Sequence, residues 1–251
     1  MVDALFPTAQ PAEPTWHRYS TARQTPGDTG GVVVYGAELP TESDLRLLGA
    51  VEGTRILDLG CGTGRNAVAL AQQGAKVLAV DPSAELLAAA RERCDAADVR
   101  VELHQAELAE LAFLRSDSID AAISVMALST VDDLARVFRQ VHRVLKPEAQ
   151  FVCSVPHPAF AMIDPTSTDP LRIVHAYDDT APRTWELDGR DVVDHPRTFA
   201  DLFTTFQRAN FRIDQVIEPT ASGPTGRNPN YADVMRTVPA TLLLRARKQG
   251  N

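Results

Sequence analysis

Two hydrophobic periods alternate along most of the chain. Near-continuous apolar runs at 55–59, 76–80, 99–104, 121–125 and 150–155 read as strands, and helical stretches lie between them. The first helix spans 65–73 and is closed by Gly74; the second spans 83–94. Asp132 and Asp133 open a third at its positive end, with Leu134, Val137, Phe138, Val141 and Leu145 on one face before Pro147 stops it. Strands that are apolar throughout, separated by helices of similar length, specify a parallel sheet covered on both faces. The fold class is therefore α/β, doubly wound.

Between 156 and 197 prolines, aspartates and aromatics replace any clear period, which suggests an inserted cap or lid rather than a plain connection. Regularity returns at Thr198 with Asp201 three positions on, a capping-box spacing. Phe199, Leu202, Phe203 and Phe206 then share one helical face. Two final strands are expected at 211–217 and 241–246, joined by a Pro/Gly/Asn-rich loop at 218–239. At the other end, residues 1–40 are rich in Pro, Gly and Thr with interspersed Trp16, Tyr19 and Tyr35, and read as an arm that packs over the active site. Thr41 and Asp44 look like a capping box for a short helix with Leu45 and Leu48 on its apolar face. The expected organisation is an arm at 1–40 and one domain at 41–251 carrying a lid at about 156–197.

Composition narrows the partners. With 25 Lys+Arg against 33 Asp+Glu the net charge is −8, which argues against a surface for nucleic acid or an anionic membrane. The 44% apolar and 23% charged residues in 251 positions suffice for a full core. Three cysteines, Cys61, Cys94 and Cys153, are too few and scattered for a disulfide framework, and no pair has metal-ligand spacing. The first residues lack a basic start followed by an apolar run, and no stretch is long enough to span a bilayer, so a cytoplasmic protein without metal is expected.

The chemistry concentrates between 55 and 81. Strand residues Ile56-Leu57-Asp58-Leu59 run into Gly60-Cys61-Gly62-Thr63-Gly64, and a helix begins at once. Alternating glycines let the backbone turn sharply and let a ligand lie against main-chain atoms. The next strand ends at Asp81, where a carboxylate beside the first loop can accept hydrogen bonds from both hydroxyls of a ribose. A dinucleotide fingerprint would show G-x-G-x-x-G; this chain has G-x-G-x-G. It also has Asp58 at the loop entrance, where a carboxylate repels pyrophosphate and attracts a cationic amino group.

The run Leu57-Asp58-Leu59-Gly60-Cys61-Gly62-Thr63-Gly64, with Asp81 following, resembles the class I S-adenosylmethionine-dependent methyltransferases. The likeness covers about 41–155 well and the last helix and two strands more loosely. It implies a seven-stranded, mostly parallel Rossmann-like sheet whose seventh strand is antiparallel and inserted between the fifth and sixth. It further implies S-adenosylmethionine as cofactor, held by Asp58, Gly60, Cys61, Gly62 and Gly64 on the methionine side and by Asp81 and Pro82 at the ribose. Gln105, Ala106 and Glu107 would meet the adenine, and Val125 and Met126 at the fourth strand end would line the site. Gln105 stands where that family usually has Asp, and its amide oxygen can accept the adenine amino group. The step Ser154-Val155-Pro156-His157-Pro158 resembles a subset that acts on small molecules.

Several of these residues also have plainer readings. Asp81 could cap the next helix with Pro82 at its first position. Cys61 is a small apolar filler rather than a nucleophile, since no basic neighbour is evident. His157 is the leading candidate for a general base and a substrate contact, set against a hydrogen-bonded loop histidine. Tyr19 and Tyr35 could hold the substrate or merely pack the arm. The acidic cluster Asp178, Asp179, Glu186 and Asp188 has no metal-ligand spacing and reads as a solvated face. The expectation is methyl transfer to an O, N or C atom of a small molecule by a monomer or homodimer. The rivals are a non-catalytic S-adenosylmethionine-binding protein and an NAD-dependent oxidoreductase.

Overall fold

The computed structural model describes residues 31–36, 39–165, 167–187, 190–218, 220 and 233–250. Its elements are, in order, a one-turn helix α1 (Glu42–Leu45), β1 (Arg55–Leu59), α2 (Arg65–Gln72), β2 (Lys76–Asp81), α3 (Ala84–Ala96), β3 (Val101–Gln105), β4 (Ile119–Val125), α4 (Leu134–Val144), β5 (Leu145–Pro156), β6 (Arg183–Leu187), β7 (Arg190–Asp194), α5 (Phe199–Arg208), β8 (Phe211–Ile217) and β9 (Thr241–Lys248). The main sheet has the order β3-β2-β1-β4-β5-β9-β8. Its first five members are parallel, and β9 runs antiparallel to both neighbours. The last strand of this sheet thus sits between the fifth and sixth, as the resemblance implies.

Alternation along the strands builds two cores. Leu57 and Leu59 of β1 pack with Leu78 and Val80 of β2 and with α4 and α5, where Phe138, Phe151, Phe206 and Phe211 form an aromatic cluster with ring centroids 4.2–6.3 Å apart. Ile56, Val77 and Ala79 point the other way, onto Ala67 and Leu70 of α2 and onto Val33, Tyr35, Leu47 and Leu48. Burial at about 25 cal/mol per Å² of apolar surface makes these two layers the main source of stability.

Local details differ from the sequence expectation at several points. The Thr198–Asp201 capping box forms. At Thr41 it does not: the hydroxyl meets the Ser43 and Asp44 side chains instead of a backbone N–H, and the helix stops after one turn. The buried Glu42 carboxylate organises that corner, accepting from the Tyr35 hydroxyl (2.8 Å) and from the N–H groups of Leu47 (2.9 Å) and Leu48 (2.7 Å). Strand β5 begins at Leu145, not at 150, because the chain pairs with Ile119 at once, bulges past Glu148 in left-handed backbone (φ 60), and resumes at Gln150. Strand β3 begins at Val101 rather than 99.

Residues 31–36 are stitched to the domain. Asn66 of α2 accepts from Val34 N–H (3.0 Å) and donates to Val34 C=O (2.9 Å), Gln73 donates to the Gly31 carbonyl, and Glu42 N–H donates to Val33. Asn66→Ala is expected to remove both arms of this clamp at a cost of about 1–2 kcal/mol. Amide exchange at Val34 should quicken while β1 and β2 keep their protection, and unchanged exchange at Val34 would count against the clamp. The rest of the expected arm, with Trp16 and Tyr19, lies outside the described residues.

The stretch expected to be a lid holds a short 3-10 turn (Phe160–Met162), an isolated bridge between Ile163 and Ile173, and the antiparallel hairpin β6–β7. Its far end is tied to the connection between β4 and α4. His195 N–H donates to Ser129 C=O (2.8 Å), and the Arg197 guanidinium donates to the carbonyls of Leu128 (3.3 Å), Asp132 (3.0 Å) and Val131. Among the described residues no helix is long and apolar enough to cross a membrane.

Candidate functional site

The chain reverses its winding between β1 and β4, and a crevice opens beyond the carboxyl ends of these strands. Gly60, Gly62 and Gly64 follow β1 with φ of 76, 54 and 75, backbone that side chains rarely adopt. Two of them are also fixed by close approach. A Cβ on Gly60 would stand 2.2 Å from Ala127 Cβ, and one on Gly64 would stand 2.9 Å from Ala90 Cβ in α3. The loop is therefore pressed between the turn after β4 (Ala127–Thr130) and α3.

Two carboxylates flank that loop. Asp81 Oδ2 accepts from Gly62 N–H (2.9 Å) and Oδ1 from Ser83 N–H (2.9 Å), so it couples the glycine loop to the start of α3. The cap of α3 is Ser83, whose hydroxyl accepts from Leu86 N–H, and not Asp81. Pro82 accordingly precedes the cap and is exposed. Burial raises the Asp81 carboxyl, the two N–H donors pull it down, and the negative Glu107 adds to the rise. Asp58, 2% exposed, has one oxygen with no hydrogen-bond partner. Burial and then the charge of Asp81 push it up to about 7, against the opposing N–H of Ala67. A buried carboxylate with an orphaned oxygen beside a glycine loop fits a ligand that brings a cationic donor.

At the next strand, Gln105 Nε2 donates to the Pro82 carbonyl (3.2 Å), which leaves its Oε1 as the free acceptor, and Ala106 N–H donates to the Asp81 carbonyl. Glu107 is exposed at the same edge. Val125 and Met126 are buried at the end of β4, and Met126 takes left-handed backbone (φ 62) as the chain enters the turn against Gly60. The described residues thus bring Asp58, the glycines, Asp81, Pro82, Gln105 to Glu107, Val125 and Met126 to the ends of four adjacent strands. Cys61 is buried, and burial together with Asp58 and Asp81 raises its thiol strongly, so no reactive thiolate forms.

The remaining candidates are placed differently. His157 Nδ1 accepts from Ala159 N–H (3.0 Å), so Nε2 carries the proton and donates to Glu218 Oε1 (2.9 Å). Glu218 follows β8, beyond β9 in the sheet, and both ring nitrogens are engaged. This is the geometry of a hydrogen-bonded corner histidine. Tyr35 is fully buried and bonded to Glu42, a packing role rather than an exposed substrate contact; Tyr19 lies outside the described residues.

Sequence reasoning missed a second group. A small, partly enclosed cleft lies against the Ala127–Thr130 turn, bounded by Leu128, Ser129, the Val155–Pro156 end of β5 and the segment Asp194 to Arg197. Asp194 is 8% exposed with an unpartnered Oδ1. No local pattern announces it, because its burial depends on the hairpin folding back onto residues more than sixty positions earlier.

A family described as a methyltransferase domain matches residues 56–148. A solved S-adenosylmethionine-dependent methyltransferase from Mesorhizobium loti is 34% identical, with a TM-score of 0.69, and the alignment covers 84% of this chain and 98% of that one. A demethylmenaquinone methyltransferase from Clavibacter sepedonicus is 40% identical over 43% of each chain. A ubiquinone biosynthesis O-methyltransferase from Azorhizobium caulinodans is 32% identical over 44% of each. The match therefore spans less than half the length of these two curated relatives.

Proposed function

The chain belongs to the class I S-adenosylmethionine-dependent methyltransferases, and from that premise we propose that it transfers the methyl group to a small molecule. The observation that carries this reading is the pairing of two unlike carboxylates across the glycine loop. Asp81 is braced by backbone donors, as ribose hydroxyls require, while Asp58 keeps a buried oxygen for a cationic amino group. That orphaned carboxylate would repel a pyrophosphate, which argues against the nicotinamide alternative.

S-adenosylmethionine supplies a methyl carbon already activated by positive sulfur. The chain's own part is to hold the donor by Asp58, the glycine loop, Asp81 and Gln105, and to align the acceptor while excluding water. Ring-bearing acceptors are favoured by the relatives named for demethylmenaquinone and ubiquinone. The cleft bounded by Leu128 and by Asp194 to Arg197 favours a catalyst over a binding protein with no acceptor site.

Calorimetric titration with S-adenosylmethionine, S-adenosylhomocysteine and NAD tests the reading. The two sulfur ligands should bind and NAD should not. Asp81→Asn should weaken both sulfur ligands about 10- to 100-fold, the worth of one or two hydrogen bonds to a charged acceptor. Binding of NAD alone, or undiminished affinity in the variant, would overturn it.

A further inference from the structure

Asp194 ends β7 at the cleft, and its buried Oδ1 has no hydrogen-bond partner. Leaving a buried carboxylate oxygen unmatched costs on the order of several kcal/mol, so its retention points to a donor that arrives from outside. The charged neighbours direct their hydrogen bonds elsewhere. Arg183 of β6 donates to the Ala161 carbonyl and to Asp179, and Arg197 donates to the carbonyls of Leu128, Val131, Asp132 and His195. Leu128, Leu134, Val155, Pro156, Pro158 and Leu202 form the cleft's apolar walls, and Ser129, His195 and Arg197 line it as well. Leu128 adjoins Ala127 in the chain, the residue pressed against Gly60.

We propose that Asp194 Oδ1 contacts the methyl acceptor, a flat apolar small molecule bearing an O–H or N–H, and takes its proton during transfer. This rests on the methyltransferase reading above. The acceptor's lone pair forms the new bond to the methyl carbon as the carbon–sulfur bond breaks, with that electron pair kept by sulfur as a neutral thioether. The acceptor's proton passes to Asp194 Oδ1 and from there to solvent. Burial pushes Asp194 up to about 6, while Arg183, Arg197, the His195 N–H and the Ser129 hydroxyl pull it down. It is therefore ionised near neutrality yet a stronger base than an ordinary carboxylate, as a proton acceptor should be.

The test uses 2-naphthol and 2-methoxynaphthalene as a probe pair, since they share a ring system and only one can donate. Both are titrated into protein first shown to bind S-adenosylhomocysteine. The wild type should prefer 2-naphthol at least about tenfold, and Asp194→Asn should cut that preference below about threefold. Equal affinity in the wild type, a preserved preference in the variant, or no binding of either probe by cofactor-loaded protein would each overturn the proposal. Failure of the wild type to bind S-adenosylhomocysteine would instead remove the reading beneath it, and the two failures are read in separate titrations.

Should Asp194→Asn fail to fold, the pH profile of the wild type decides. The preference should fade on acidification through about pH 6 as Asp194 is protonated. Arg183 and Arg197 are the cationic neighbours of Asp194, and Asp132 is exposed beside His195 at 3.7 Å. His195 is the other group that could titrate, and burial and Arg197 lower it. His195→Gln should therefore leave the midpoint where it is. A preference constant between about pH 5 and pH 8 would refute the assignment.

Discussion

Gly60→Ala is expected to lose cofactor binding by more than about 100-fold and about 3 kcal/mol or more of stability, because strain and overlap fall on the same atom. The backbone at φ 76 costs a side chain about 1–2 kcal/mol by itself. The new Cβ would also stand 2.2 Å from Ala127 Cβ, which is impossible without moving one of the two segments. Neither moves freely. The Ala127–Thr130 turn is held by the Ser129 hydroxyl on Met126 C=O and by the Arg197 and His195 bonds from the hairpin. Gly60 N–H and Cys61 N–H both donate to Val80 C=O, and Ser124 Oγ donates to Leu59 C=O. The crevice itself must then distort.

Gly53→Ala supplies the control. Its φ is 73, nearly the same, and a Cβ there meets nothing within 4 Å. It should show the strain alone, about 1 kcal/mol by denaturant titration, with cofactor affinity intact. Similar losses in the two variants would show that the close approach of Ala127 carries no energetic weight.

The strands and glycine loop that frame the crevice were legible because they are local in sequence. Asp58, the three glycines and Asp81 lie within two strands and one helix, and the periodicity that locates those strands also fixes where their ends meet. The proposed acceptor side is not local. Asp194 becomes a buried group only when β6 and β7 pair and Arg197 reaches back to Leu128. One signal for that hairpin was present: Asp188-Gly189 stands between Leu187 and Arg190, a two-residue turn composition between segments that do pair. The surroundings of His157 were not legible for the complementary reason. A histidine after a parallel strand suggests the catalytic edge, but what its ring faces was decided by Glu218, sixty-one positions later. The failed capping box at Thr41 has the same lesson, since the tertiary contacts of Glu42 outweighed a good local signal.

Stability without ligand is expected to fall as pH rises from about 4 to about 7, opposite to the usual acid-labile behaviour of carboxylates. Asp58 goes from an ordinary value of 3.8 when unfolded to about 7 when folded, so the folded protein binds the extra proton in that window. Its favourable contribution is complete below the unfolded value and is lost as pH climbs through the folded one. A rise of that size corresponds to at most about 4 kcal/mol. Asp194 at about 6 acts in the same sense, as does the raised Asp81. Asp120, held down by Lys146 and the Arg55 N–H, and Asp214, held down by Arg245 and Arg247, act oppositely, but only below their ordinary range. Denaturation midpoints should therefore be higher at about pH 5 than at about pH 8, and Asp58→Asn should shrink the difference. A cationic amino group seated at the orphaned Asp58 oxygen would lower that carboxyl again, so binding must expel the proton. Calorimetry of S-adenosylmethionine at about pH 6.5, repeated in buffers of different ionisation heat, should report about half a proton or more released, and close to none in Asp58→Asn. Proton uptake, or release unchanged by the substitution, would mean that the amino group is held elsewhere and that Asp58 serves the loop alone.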